Sequence, residues 1–155
     1  MPDESPVRRA TSGDAADAAR LLHDFNTEFG DFTPGVEALT ARLAKLLDAG
    51  EATVLLGGDG PEGIAVLRFR PALWTPTIDA YLEELYVAPA KRGQGLGRAL
   101  LNAALDVARV AGAGDIHLGT SEDDTAALAL YESTGFTNRE GGADGPVMLF
   151  YERRL

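Results

Sequence analysis

Val87-Ala88-Pro89-Ala90-Lys91-Arg92-Gly93-Gln94-Gly95-Leu96-Gly97-Arg98 carries the reading on which the fold turns. An apolar strand end runs into a proline-containing loop, three glycines alternate with other residues, and an amphipathic run begins at Leu96. Glycines let a backbone approach a ligand closely, and the first N–H groups of a helix lack internal partners. With the helix dipole adding about half a positive charge, such a turn binds phosphate oxygens through its main chain. Lys91, Arg92 and Arg98 add full charges. A P-loop would need Gly-Lys-Ser/Thr at its end, and a dinucleotide fingerprint would need Gly-x-Gly-x-x-Gly directly after the strand. The spacing here is Gly93-x-Gly95-x-Gly97, so neither fits.

Working outward, Ile78 to Val87 reads as a long strand before the turn, and Leu96 to Ala111 as a helix with an apolar stripe ending at Gly112. Upstream, Val7 to Ala10 is expected as an edge strand. Helices are expected over Asp14 to Phe25 and Val36 to Ala49, with an aromatic-rich loop from Asn26 to Gly35 between them. Ala52 to Leu56 and Gly63 to Phe69 read as a hairpin about Gly57-Gly58-Asp59-Gly60. Downstream, Ile116 to Thr120 is expected as a strand, Asp124 to Thr134 as a helix capped by Gly135, and Phe136 to Glu140 and Val147 to Arg153 as closing strands. The order implies an α/β (α+β) chain: a mixed, mostly antiparallel twisted sheet with helices on both faces.

The chain has 155 residues, 45% of them hydrophobic, which suits a single domain over 1–155. No run approaches the roughly 20 apolar residues of a bilayer span, and Met1 to Arg9 does not read as a signal segment. A cytoplasmic location with no membrane partner is the expectation. There is no cysteine and only two histidines, His23 and His117, which argues against disulfides, thiolate nucleophiles and metal sites. A net charge of -10 argues against nucleic acid, whose phosphates call for clustered Lys and Arg.

Leu85-Tyr86-Val87-x-Pro89 followed by Arg92-Gly93-x-Gly95-x-Gly97 resembles the acyl-CoA-binding motif of the GNAT superfamily of N-acetyltransferases. Ala127-x-x-Leu130-Tyr131-x-x-x-Gly135-Phe136 is similar to a second motif of that superfamily. The resemblance implies acetyl-CoA as acyl donor and a primary amine as acceptor. It implies that the backbone of Leu85, Tyr86 and Val87 holds the pantetheine arm as an added strand would be held. Arg92, Gly93, Gln94, Gly95, Leu96, Gly97 and Arg98 would then bind the pyrophosphate. Asp124 stands where the family often has Asn near the cofactor, and it also fits a helix cap.

The chemistry needs a base, since an alkylamine of pKa near 10.4 is almost wholly protonated at pH 7. Glu83 and Glu84 lie in the strand beside the expected thioester. They should face opposite ways unless a bulge intervenes. Tyr81-Leu82-Glu83-Glu84 resembles the strand of polyamine acetyltransferases in which acidic groups bind substrate and relay its proton. Tyr131 matches the family's acid for the leaving thiolate. Without cysteine, transfer is expected to be direct, in a ternary complex.

A diamine or polyamine acceptor is one expectation, with Glu28, Asp31 and Asp79 as further rim acids and Trp74, Phe29 and Phe32 as candidate pocket walls. An acyl-CoA-sensing module without turnover and a protein or peptide N-acetyltransferase are the alternatives. A homodimer is expected only by analogy with such folds.

Overall fold

Alternation of buried side chains on three consecutive strands explains how the central sheet receives helices on both faces. The computed structural model describes residues 6–155, in two compact units: one running to Leu118 and the other from Gly119 to Leu155. In the first unit, strands β1 (Val7–Arg9), β2 (Thr53–Gly57), β3 (Gly63–Pro71), β4 (Ile78–Val87) and β5 (Ala113–His117) form one sheet in the order β1-β2-β3-β4-β5. Neighbours pair antiparallel except β4 and β5, which run parallel. The sheet is therefore mixed and mostly antiparallel, as the sequence implied.

Helices α1 (Ala15–Phe29) and α2 (Val36–Asp48) cover one face. There Ala18, Ala19, Leu21 and Leu43 pack in one core with Val54, Leu56, Ile64, Val66 and Tyr86. The alternate residues Leu55, Ala65 and Leu67 are also buried and point to the opposite face, as the twofold repeat of a strand requires. Helix α3 (Leu96–Ala111) lies on that face and buries Leu100, Leu101, Ala104 and Ala108. Gly57 and Gly63 are register partners and form its seat. A Cβ at either would stand 2.7 Å from a leucine methyl, of Leu96 at Gly57 and of Leu100 at Gly63.

Beyond shifts of one to three residues at other element ends, three departures from the sequence reading stand out. Helix α1 continues past Phe25 to Phe29 and ends at Gly30, whose φ of 73° and N–H bonds to Asn26 and Thr27 make the true cap. Phe25 and Phe29, one turn apart, meet edge to face at 5.4 Å. Strand β5 begins at Ala113, not Ile116, because parallel pairing with Ile78–Tyr81 outweighs the weak strand propensity of Ala113-Gly114-Asp115.

The third departure is the expected pair of closing strands, which in the second unit reduces to one antiparallel bridge, Arg139 to Val147. Flanking it are Glu140 N–H to the Pro146 carbonyl at 2.9 Å and Met148 N–H to the Asn138 carbonyl at 2.7 Å. A two-stranded ribbon alone is marginal in water, and Leu149, Phe150 and Tyr151 remain exposed. The unit's helix α4 (Thr125–Ser133) forms as expected. Among the described residues no helix is long and apolar enough to cross a membrane.

Leu100 is fully buried against a seat with no Cβ atoms. Leu100→Ala is expected to lower stability by about 2–5 kcal/mol in urea unfolding. A loss below about 1 kcal/mol would show that α3 is not seated as described.

Candidate acyl-transfer site

One extra residue in β4 organises the site. Pairing with β3 runs from Gly63–Val87 to Val66–Glu84 and then resumes at Leu67–Leu82, so Glu83 is the additional residue of a β-bulge. The bulge changes the parity of the strand. Leu82 pairs with Leu67 on the α3 face, whereas Glu84 and Tyr86 pair with Val66 and Ile64 on the α1–α2 face. The Glu83 carboxylate accepts from Arg68 Nη1 at 3.3 Å, and Arg68 lies two residues beyond Val66 on that same α1–α2 face. Both glutamates therefore share one side, the outcome that the simple alternation excludes and a bulge permits.

Their proximity has an electrostatic consequence. Burial, then the charges of Glu83 and Asp31, push the Glu84 carboxyl up to about 7. Beside the pair, a cleft of about 480 Å³ is lined by Gly50, Glu51, Arg68, Phe69, Tyr81 and Glu83. Tyr81 stacks on His117 at 5.0 Å between ring centroids, which gives His117 a packing role.

Past the bulge, β4 separates from β5. Their ladder ends at Tyr81–His117 while the β3 side continues to Val87, so the stretch Leu85-Tyr86-Val87 lies beyond the last β5 partner. Extra twist at a bulge accounts for the divergence. The chain then makes a short 3₁₀ turn, Pro89–Lys91, and Gly93 and Gly95 take φ of 75° and 86°. That left-handed conformation favours glycine. Gly95 caps α3, and the first-turn N–H groups of Leu96, Gly97 and Arg98 follow it.

Arg92 does not project as a simple phosphate ligand. Its Nε donates to the Val87 carbonyl at 3.0 Å and its Nη2 to Glu28 Oε1 at 2.8 Å. Gln94 Nε2 donates to the Ala90 carbonyl at 3.3 Å and braces the turn from within. The surroundings suit an acyl-CoA nonetheless: a strand edge that has no ladder partner among the described residues, for an extended arm, and a glycine-opened helix start for a pyrophosphate.

Of the remaining candidates, Asp124 caps α4 by accepting from Ala127 N–H at 3.1 Å. Tyr131 lies on α4 in the second unit, half-buried, edge to face with Phe136 at 5.7 Å. Trp74 and Phe32 are 92% and 82% exposed, so neither is packed as a wall. Glu28, singled out in the sequence only as a rim acid, proves to be the partner of Arg92 and Tyr86. Charge alone suggested its presence near the site; no local signal reveals a contact across 64 residues.

Comparison with known proteins shows the family of the chain. The model of the acetyltransferase (GNAT) family matches residues 18–136. A mycothiol acetyltransferase of Gordonia bronchialis is 33% identical over 141 residues, covering 86% of this chain and 44% of that protein. The chain thus spans less than half of that relative's length. YhfO, an uncharacterized N-acetyltransferase of Bacillus subtilis, is 29% identical over 137 residues, covering 87% of this chain and 91% of that one. A crystal structure of a candidate acetyltransferase from Arthrobacter sp. FB24 superposes with a TM-score of 0.91 at 46% identity, covering 100% of this chain and 99% of that chain.

The raised Glu84 carboxyl fixes the sign of a pH effect. Between its ordinary value of 4.5 and about 7 the folded chain keeps a proton that the unfolded chain has lost, so this group lowers stability as pH rises through that window. Glu84→Gln should therefore match wild type in thermal unfolding at pH 4 and be more stable at pH 8. After discounting for partial exposure the gain is roughly 1–2 kcal/mol, a shift of several degrees. Equal melting temperatures at pH 8 would contradict the shift.

Proposed function

Because the chain belongs to the acetyltransferase (GNAT) family, we propose that it transfers an acetyl group from acetyl-CoA to a primary amine by direct attack. The observation that carries the proposal is the bulge, which sets Glu84, with its carboxyl near 7, beside the edge of β4 that leaves β5. Acetyl-CoA would supply the activated acyl thioester. Backbone groups of Leu85, Tyr86 and Val87 would bind its extended arm, and the N–H groups from Gly93 to Arg98 its pyrophosphate. The fully charged Arg92 would act there through its field and through the shape of the turn, since its hydrogen bonds go to Glu28 and Val87.

Glu84 is the base. Moving a proton from an amine of pKa 10.4 to an ordinary carboxylate is uphill by about 8 kcal/mol, and to a group near 7 by about 4.6 kcal/mol. The elevated carboxyl thus closes much of the gap while being about half ionised at pH 7 and ionised at alkaline pH. Tyr131 would hold a proton for the departing thiolate, a role that rests on its motif. The absence of cysteine from the chain supports transfer without an acyl-enzyme on a thiol.

The acceptor reading narrows when ion pairs are considered. Of the acids that suggested a polycation, Glu83 holds Arg68, Asp79 holds Arg70 and Glu28 holds Arg92. Glu84, with Asp31 acting on it, is the acid best placed for a single ammonium group. A small acceptor with one reactive primary amine fits better than an extended polyamine.

Thiol release from acetyl-CoA across a panel of small amines, polyamines and peptides tests the proposal. We expect turnover with a small primary amine and a kcat/KM that rises with pH and levels off above about 7. Glu84→Gln should lower kcat about 10²–10³-fold and remove that inflection, and Tyr131→Phe should lower it about 10²-fold. A bulky residue at Gly95 should abolish the rise in melting temperature that acetyl-CoA produces. Binding of acetyl-CoA without turnover on any amine would identify a sensor instead, and a peptide as best acceptor would overturn the small-amine reading.

A further inference from the structure

Helix α1 ends with an acid where a helix C-terminus favours a base. Glu28 sits in its last turn, which carries no basic residue, and a carboxylate there opposes the helix dipole. Residues that break a local rule are retained for a gain elsewhere, and the gain here is geometric. A single oxygen, Glu28 Oε1, accepts from Arg92 Nη2 at 2.8 Å and from Tyr86 Oη at 3.0 Å. Arg92 also donates to the Val87 carbonyl at 3.0 Å and lies over the Tyr86 ring, 5.6 Å from its centroid. Tyr86 is clamped from its other side, stacked on Phe25 of α1 at 4.8 Å. One carboxylate thus ties α1 to the end of β4 and to the residue that opens the glycine turn.

We propose that Glu28 is a positioning residue for the acyl donor: by holding Arg92, it fixes the turn from Arg92 to Gly95 so that the N–H groups at the start of α3 are presented to the pyrophosphate. Three features support this role over a merely structural one. The bond is charge-assisted at both ends and bridges 64 residues, so it fastens α1 to the turn after β4 and closes no turn within the helix. Arg92 Nε is fixed to the last residue of β4, so its orientation sets the direction in which the turn leaves the strand. Finally, Glu28 lies on the α1–α2 side of the sheet, and donor binding therefore depends on a helix that also borders the acceptor side. The inference rests on the reading of the turn as the acyl-CoA cradle.

Steady-state kinetics of Glu28→Ala, Glu28→Gln and Arg92→Ala, with Glu28→Ala also placed in the Arg92→Ala background, test it. Glu28→Ala should raise the KM for acetyl-CoA about tenfold or more, as loss of a charge-assisted bond to a binding loop predicts. It should leave kcat and the acceptor KM within about twofold. Glu28→Gln, which keeps an accepting oxygen, should recover part of the loss. In the Arg92→Ala background the substitution should add nothing further. An unchanged acetyl-CoA KM, additive effects in the double variant, or a fall in kcat and melting temperature at constant KM would each overturn the proposal. A lower KM would overturn it too, since Glu28 would then be withholding Arg92 from the donor. If wild type itself fails to bind acetyl-CoA, the cradle reading falls, and that outcome is distinct from wild-type binding with an indifferent Glu28 variant.

Discussion

The extra residue at Glu83 is the constraint on which the rest of the site depends. A regular strand from Ile78 to Val87 could not bury both Leu82 against α3 and Tyr86 against α1, because the two are four residues apart and would point the same way. With the bulge each reaches its own core. The same irregularity gathers two carboxylates on one face, where burial and then the charge of Glu83 raise Glu84, and coincides with the parting of β4 from β5. Packing and chemistry are solved together, which is the usual standing of bulges beside active sites.

What the sequence disclosed, and what it hid, divides along the range of the interactions involved. Strand β4 and helix α3 were legible to the residue, because their ends are marked by local devices: a proline loop, alternating glycines and Gly112 in a left-handed cap. The bulge was not legible, since nothing in Leu82-Glu83-Glu84-Leu85 distinguishes a skipped pairing from a regular one; the choice is made by Leu67 and Val66 on the neighbouring strand. The early stop read at Phe25 has the same origin. The helix continues because Phe25 and Glu28 both find a partner on β4, Tyr86. Val147 to Arg153 shows the converse, a continuous apolar and aromatic run from Val147 to Tyr151 whose pairing is limited to the bridge at Val147 and the flanking Met148 N–H bond.

Arg92 illustrates how a side chain within a motif takes on bonds that the motif does not reveal. Composition placed three cations at a helix start, and the simplest electrostatic reading sent all of them toward phosphate. The guanidinium has five donors in a rigid fork, and in the fold two of its nitrogens are taken by a main-chain carbonyl and a carboxylate from another element. The charge is where the sequence put it, but the bonds are spent on architecture. Asp124 behaves similarly, its carboxylate committed to Ala127 N–H at the start of α4.

The glycine pair under α3 has a thermodynamic meaning beyond close packing. Leu96 is the first residue of the helix, and its methyl groups rest on the surface that Gly57 and Gly63 leave open. The first turn, ordinarily the part of a helix that frays, is therefore anchored to the sheet by the side chain that begins it. N–H groups held in this way have already surrendered their conformational freedom during folding. An anion arriving there meets a host with little entropy left to lose, so more of the interaction energy is retained as affinity.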